Sequence, residues 1–166
     1  MAVAVEAAIS AKLSIEESVD LTSVDAFNTT KLETGASKWS GSTKLSATTT
    51  PAAQDSASFV QALTAGAATI DLSALTGTNG RAVNGTGKKI LAIFLKPLGA
   101  NPMTFTAGAS NGYLLFGASG SVAVPNGGFL LKGFGSALSA IDGTHKTIDV
   151  AGTGSQTCQV QILFGL

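Results

Sequence analysis

The sequence predicts an all-β protein, an antiparallel β-sandwich preceded by an extended N-terminal arm. Three observations carry that expectation. Apolar and polar residues alternate near the C-terminus, at residues 156–164: Cys158, Val160, Ile162 and Phe164 fall on one side, and Thr157, Gln159, Gln161 and Leu163 on the other. Turn residues recur roughly every eight to twelve positions, the spacing of short strands in a sandwich or barrel. Helix signals are poor throughout.

Taken in chain order, residues 2–13 have room for a few helical turns. Residues 11–15 and 18–21 read as short strands, with Leu13, Ile15, Val19 and Leu21 facing inward. Residues 1–55 hold seven of the ten acids, six of them between Glu6 and Glu33, together with polar stretches at 35–42 and 48–50. They are expected to form the arm, contributing short edge strands to a sandwich at 56–166. Residues 52–63 again offer space for helical turns, but Thr and β-branched neighbours favour a strand entered through a loop. Residues 89–96 differ from the rest: Ile90, Leu91, Ala92, Ile93, Phe94 and Leu95 are apolar on both faces, as in a central strand covered on both sides. Pro97 ends it, because proline cannot donate to a ladder. Further strands are expected at 59–64, 68–73, 103–107, 113–116, 121–124, 129–132 and 144–150. Breaks fall at 76–80, Asn84-Gly85, Asn111-Gly112, 125–128, Asp142-Gly143 and 152–154. Asn-Gly and Asp-Gly supply the positive φ angles that tight hairpins need. Two short echoes, 64–67 with 106–109 and 68–72 with 146–150, reflect similar strand and turn chemistry. No period indicates a solenoid.

Composition narrows the functional classes. Charged residues make up 12% of the chain, against roughly 25% in an average globular protein, so the surface is weakly charged. Formal net charge is zero, which favours association. The ten Lys and Arg are scattered, with Lys88–Lys89 the one adjacent pair, so no nucleic-acid partner is expected. No apolar run approaches the roughly 20 residues of a membrane-spanning helix, and no membrane partner is expected. Glu6 and the lack of a positive leading segment make the first residues a poor signal peptide. Cys158 is the single cysteine, which excludes an intrachain disulfide; its alternation with buried positions marks an inert core thiol. One His and one Cys cannot make a zinc site. Glu16, Glu17, Asp20 and Asp25 lack the spacing of a calcium loop. No metal or other cofactor is expected.

Two motifs hint at chemistry. Gly108-Ala109-Ser110-Asn111-Gly112 fits G-x-S-x-G, with Asp142 and His145 following in the order of a hydrolase triad. That motif needs a strand–turn–helix context, and residues 113–116 read as another strand. A plain turn is expected, and the chain is not expected to be an enzyme. Residues 85–89 hint at a phosphate loop, but Ala82 and Lys89 occupy positions that need Gly and Ser or Thr. Trp39 sits in a polar stretch, where a large aromatic either folds back on its own core or inserts into a partner.

The order of several segments carries a resemblance: Val19-Asp20-Leu21; then residues 65–75, running Ala-Gly-Ala-Ala-Thr-Ile-Asp-Leu-Ser-Ala-Leu; the apolar strand at 90–95; Gly108-Ala109-Ser110-Asn111; residues 124–128, Val-Pro-Asn-Gly-Gly; and a final strand closing at Phe164-Gly165-Leu166. The chain resembles structural proteins of tailed-bacteriophage virions, especially head decoration or cement proteins with a jelly-roll-like sandwich. The resemblance covers most of the chain, more firmly from Ala65 onward, and rests on turn and strand chemistry. It implies synthesis in the host cytoplasm, a place on the capsid surface of the virion, and binding across seams of the major capsid protein lattice, often as a homotrimer. The family has no active-site motif, so no functional residue carries over. The arm is the expected lattice contact, with Phe27, Leu32, Trp39 and Leu45 as candidate interface anchors. The rival readings are another virion component (tail, adaptor or spike), a carbohydrate- or receptor-binding sandwich, and a serine hydrolase acting through Ser110.

Overall fold

The computed structural model describes residues 6–14, 38–77 and 80–166; the side chains of 11–14 and 38–41 are outside the description. Every regular element among the described residues is a strand. The chain divides into two compact units, Ala8–Thr43 and a larger one made of Met1–Ala7 with Lys44–Leu166.

At the N-terminal end, β1 (Glu6–Ser14) and β2 (Lys38–Ser46) pair as a two-stranded sheet. The helical turns expected at 2–13 are therefore corrected over Glu6–Ser14. Ala7 and Ile9 are less exposed than Glu6, Ala8 and Ser10, a period-2 pattern that suits a strand and not a helix. Of the two short strands expected here, 11–15 overlaps β1, and 18–21 lies outside the described residues.

The larger unit is a β-sandwich. Its strands are β3 (Ala53–Ala62), β4 (Ala67–Asp71), β7 (Lys89–Pro97), β8 (Met103–Ala107), β9 (Ser121–Val124), β10 (Leu130–Gly133), β11 (Thr147–Ala151) and β12 (Thr157–Gly165). A small pair, β5 (Leu75–Thr76) with β6 (Ala82–Val83), lies between β4 and β7 in the chain. One sheet has the order β10-β7-β12-β3, the other β4-β11-β8-β9, and every pairing is antiparallel. The first of these eight strands pairs with the last, the second with the seventh, the third with the sixth, and the fourth with the fifth. That nested pairing, divided between two sheets, is the jelly-roll arrangement.

The core lies between the sheets. Ile90, Ile93, Leu95, Cys158, Val160, Ile162 and Phe164 come from one sheet; Ile70, Met103, Phe105, Val124, Ile148 and Val150 come from the other. Each such large side chain contributes about 1.5–3 kcal/mol by leaving water. In β12 the alternation read from the sequence is realised directly, Cys158, Val160, Ile162 and Phe164 being buried. A bulge interrupts the β7–β12 ladder: Leu163 opposes Ala92 and Phe164 opposes Ile90, which leaves Leu91 unmatched. Pro97 takes the last place of β7. The next residue bonds to β12 through Leu98 N–H and Thr157 O at 2.9 Å, so by antiparallel alternation Pro97 needs no donor toward β12. The expected cover on both faces of β7 is partial: Leu91 and Ala92 are buried, whereas Phe94 and Lys96, on the side away from the core, are half-buried.

Residues 113–116 and Asn84-Gly85 depart from expectation. β3, the first strand of the sandwich, starts at Ala53. Residues 113–116 form no strand. Tyr113 N–H bonds Thr147 O at 2.8 Å, and its buried ring sends the hydroxyl to Ser139 O, also at 2.8 Å, so the segment folds across the end of the sandwich. The break expected at 125–128 is present: Gly127 takes φ 73°, Gly128 N–H bonds Pro125 O at 3.0 Å, and the turn carries the chain from β9 in one sheet to β10 in the other. Asn84-Gly85 is no positive-φ hairpin: a Cβ on Gly85 would lie 2.6 Å from Leu72 O, so glycine is required there for close approach.

Candidate binding surfaces

Of the four candidate interface anchors, Phe27 and Leu32 lie outside the described residues. Trp39 lies on β2, with its side chain outside the description. Leu45, also on β2, is buried at 7% exposure within its own chain, so in this conformation it offers no surface to a partner.

The G-x-S-x-G segment forms a turn between β8 and the Tyr113 segment. Asn111 takes φ 55°, and its carbonyl accepts Lys146 N–H at 2.7 Å and Thr147 N–H at 2.9 Å. Gly112 is held by close packing, a Cβ there falling 2.4 Å from Gly108 O. Ala109 N–H donates to Asp149 Oδ2 at 2.8 Å, which fixes the turn to β11. Ser110 is exposed, and among the described residues no hydrogen bond joins its hydroxyl to His145. His145 Nδ1 instead faces Thr144 Oγ1 at 2.9 Å and Asp142 Oδ1 at 3.3 Å. The Thr144 hydroxyl and N–H, with His145 N–H, hold the exposed Asp142 carboxyl down to about 2. This Asp-Thr-His arrangement is a self-satisfied turn. Beside it Tyr113, Leu114, Ala137, Leu138, Ser139 and His145 line a cavity of about 210 Å³, below the roughly 300 Å³ at which ligand pockets begin.

Ion pairs organise two other places. Asp55, buried at the inner side of β3, accepts from Arg81 and, at 3.0 Å, from Lys88 Nζ. Burial alone would raise its carboxyl, but the bonds from Arg81, Lys88 and Ser56 N–H together hold it below the ordinary value. Lys88, at the place where a phosphate loop was considered, thus serves a structural carboxylate; it also donates to Asn84 O at 2.8 Å. Asp71 is held low in the same way against burial, by Lys146 and Ser73. No group of three or more metal-ligating side chains occurs among the described residues, and no described helix is long and apolar enough to cross a membrane.

The two outer faces of the sandwich differ. On the β10-β7-β12-β3 sheet, Leu131, Phe94, Gln161 and Ser58 lie in one row across the strands, and Lys96, Gln159 and Val60 in the next. Phe129, 63% exposed, stacks on Phe94 with ring centroids 5.7 Å apart. At the β10 edge, Lys132 Nζ sits 5.5 Å from the Phe116 ring centre and 5.1 Å from that of Phe134, within cation–π range of both. The opposite sheet presents small and hydroxyl side chains: Thr69, Asp149, Thr106 and Ser121 in one row, Ala67, Ala151, Thr104 and Ala123 in the next. Thr69 Oγ1 donates to Asp149 Oδ1 at 2.6 Å and Lys146 Nζ to Asp71 Oδ2 at 2.8 Å, so both acids on the β4–β11 part of this face are already engaged. Sequence reasoning did not single out the aromatic face. Its signal is present as the alternation of Phe94 with Ile93 and Leu95, which the continuous apolar run obscures.

Comparison with protein-family models, with curated proteins and with solved structures found no match to this chain.

Proposed function

We propose that this chain is a non-catalytic structural protein that works by covering surface on its neighbours, and that its place is the outside of a tailed-phage head, as a decoration or cement protein bound to the major capsid lattice. The observation that carries the burial reading is the outer face on which Phe129 and Val60 are exposed and Phe94 and Leu131 half-buried, with Lys96 the charged residue in the Phe94 and Val60 rows. Exposed apolar patches of this kind mark interaction surfaces. The jelly-roll topology, the low charge content and the resemblance of the sequence to phage head proteins support the virion placement. A cement subunit gains free energy by burying area on two neighbours at once, at about 25 cal/mol per Å² of apolar surface before association costs. Repetition over a lattice then multiplies weak contacts.

The test is co-sedimentation of the purified chain with phage heads that lack their decoration protein. Saturable binding at regular lattice sites, seen by electron microscopy, is the expected result. Removal of residues 1–45 is expected to abolish binding while the circular dichroism of the sandwich persists; unchanged binding by the shortened chain would refute the arm as the lattice contact. A second reading, a carbohydrate-binding sandwich, is favoured by the exposed Phe129 platform beside Gln159 and Gln161. It predicts glycan-array binding that Phe129→Ala removes.

A further inference from the structure

Sandwich edges are normally kept short, bulged or charged, because an open edge is a template for another strand. Three of the four edges here follow that rule: β4 has five residues, β9 four and β10 four. The fourth, β3, has ten, and its sequence Ala-Gln-Asp-Ser-Ala-Ser-Phe-Val-Gln-Ala contains no proline, lysine or arginine. Its single charge, Asp55, is turned to the inner side and neutralised by Arg81 and Lys88.

The ladder to β12 fixes which backbone groups of β3 are spent. Leu63 N–H bonds Gln156 O at 2.8 Å, and the register runs on without interruption from Ala62–Thr157 to Asp55–Phe164. In an antiparallel ladder the bonded pairs alternate. Gln61, Phe59 and Ala57 therefore bond inward to β12, and Ser58 and Val60 turn their N–H and C=O groups to the open edge, joined by the Ser56 C=O; the Ser56 N–H is already taken by Asp55 Oδ1 at 2.9 Å. Leu98 N–H on Thr157 O confirms the alternation from the other side of β12. No strand among the described residues pairs with this edge. Gln61 Nε2 caps Ala62 O at 2.8 Å, so the open stretch ends there. Val60 is 58% exposed beside it.

We propose that the occupant of this edge is β3 of a second copy of the chain, paired antiparallel about a two-fold axis near Ser58, so that two four-stranded sheets join into one continuous sheet. Self-pairing is favoured by three features of this edge and chain. The stretch reads without like charges in the antiparallel sense, Ser58 opposite Ser58 and Ser56 opposite Val60. Val60 and Phe59 gain cover from the added strand. Zero formal net charge leaves little long-range repulsion between copies. The inference is independent of the virion reading.

The full-length chain is compared with Ser58→Pro, which deletes one outward N–H at an edge position where proline is tolerated, and with Val60→Lys, which adds an edge charge. Sedimentation equilibrium from micromolar to millimolar concentration gives the association constant, and circular dichroism checks the fold. Expected are a monomer–dimer equilibrium for the natural chain and an association constant lower by about tenfold or more in each folded variant. Hydrogen exchange read amide by amide should show Phe59 and Gln61 protected at every concentration, and Ser58 and Val60 protected only as dimer forms. If Ser58→Pro does not fold, Val60→Lys decides. A natural chain that stays monomeric at millimolar concentration overturns the proposal. So does association that both variants leave unchanged, or that leaves the Ser58 and Val60 amides exchanging freely.

Discussion

At the residue scale, the largest penalties belong to positions where space or charge is already committed. Asp55 is the buried anion for two partly exposed cations. Asp55→Ala is expected to cost about 1–3 kcal/mol in urea unfolding, the range for removing a charged hydrogen-bonding partner. Because its carboxyl is depressed in the folded chain, its contribution is complete above the ordinary value of 3.8 and fades as pH falls through the lower folded value. The difference in stability between the natural chain and Asp55→Ala should therefore narrow on acidification below pH 3.8, measured as the gap between their urea midpoints. Glycines separate cleanly as well. Gly85→Ala would drive a methyl against Leu72 O at 2.6 Å and lower stability by about 2 kcal/mol or more, whereas Gly143→Ala enters open space and should raise stability by about 0.4–1 kcal/mol. Cys158 is fully buried, and burial pushes its thiol up to about 11. Ellman's reagent should leave it unmodified in the native chain and titrate one thiol per chain once urea has unfolded it.

At the element scale, legibility followed the clarity of the period. β8 and β9 were readable at the residues where they occur, and β12 to within one residue at each end, because their inner positions are apolar and their outer ones polar. Residues 113–116 misled because Tyr113, Leu114, Leu115 and Phe116 have strand composition. The structure uses them otherwise: Tyr113 and Leu115 are buried, Leu114 stands 44% exposed, and the Tyr113 hydroxyl also receives Ile90 N–H at 3.4 Å. No local pattern announces such a tertiary hydrogen bond. Tyr113→Phe should cost about 1 kcal/mol, the value of the lost bond to Ser139 O, read from thermal unfolding. The outer aromatic face escaped notice for a related reason. Phe129 stands outside a strand, and its stacking on Phe94 depends on β10 lying beside β7, a neighbour relation set by topology alone.

At the scale of the whole molecule, the all-β class and the sandwich were legible because turn residues punctuate the chain regularly and apolar rows supply two facing layers. The strand order was not legible, since some pairing partners are more than a hundred residues apart, as with Ala57 and Ile162. That order has a consequence for how the chain is made. β12, the last of the described strands in chain order, occupies an interior position of its sheet, between β3 and β7. While the ribosome still holds these residues, β3 and β7 have nothing to join them, and half of the sandwich stays open. A nascent chain arrested after Gly154 should remain fully protease-sensitive, and resistance should arrive in one step when residues 155–166 clear the exit tunnel. Closure of this layer thereby waits on β12, and until that strand docks the edges of β3 and β7 that it will join stay open.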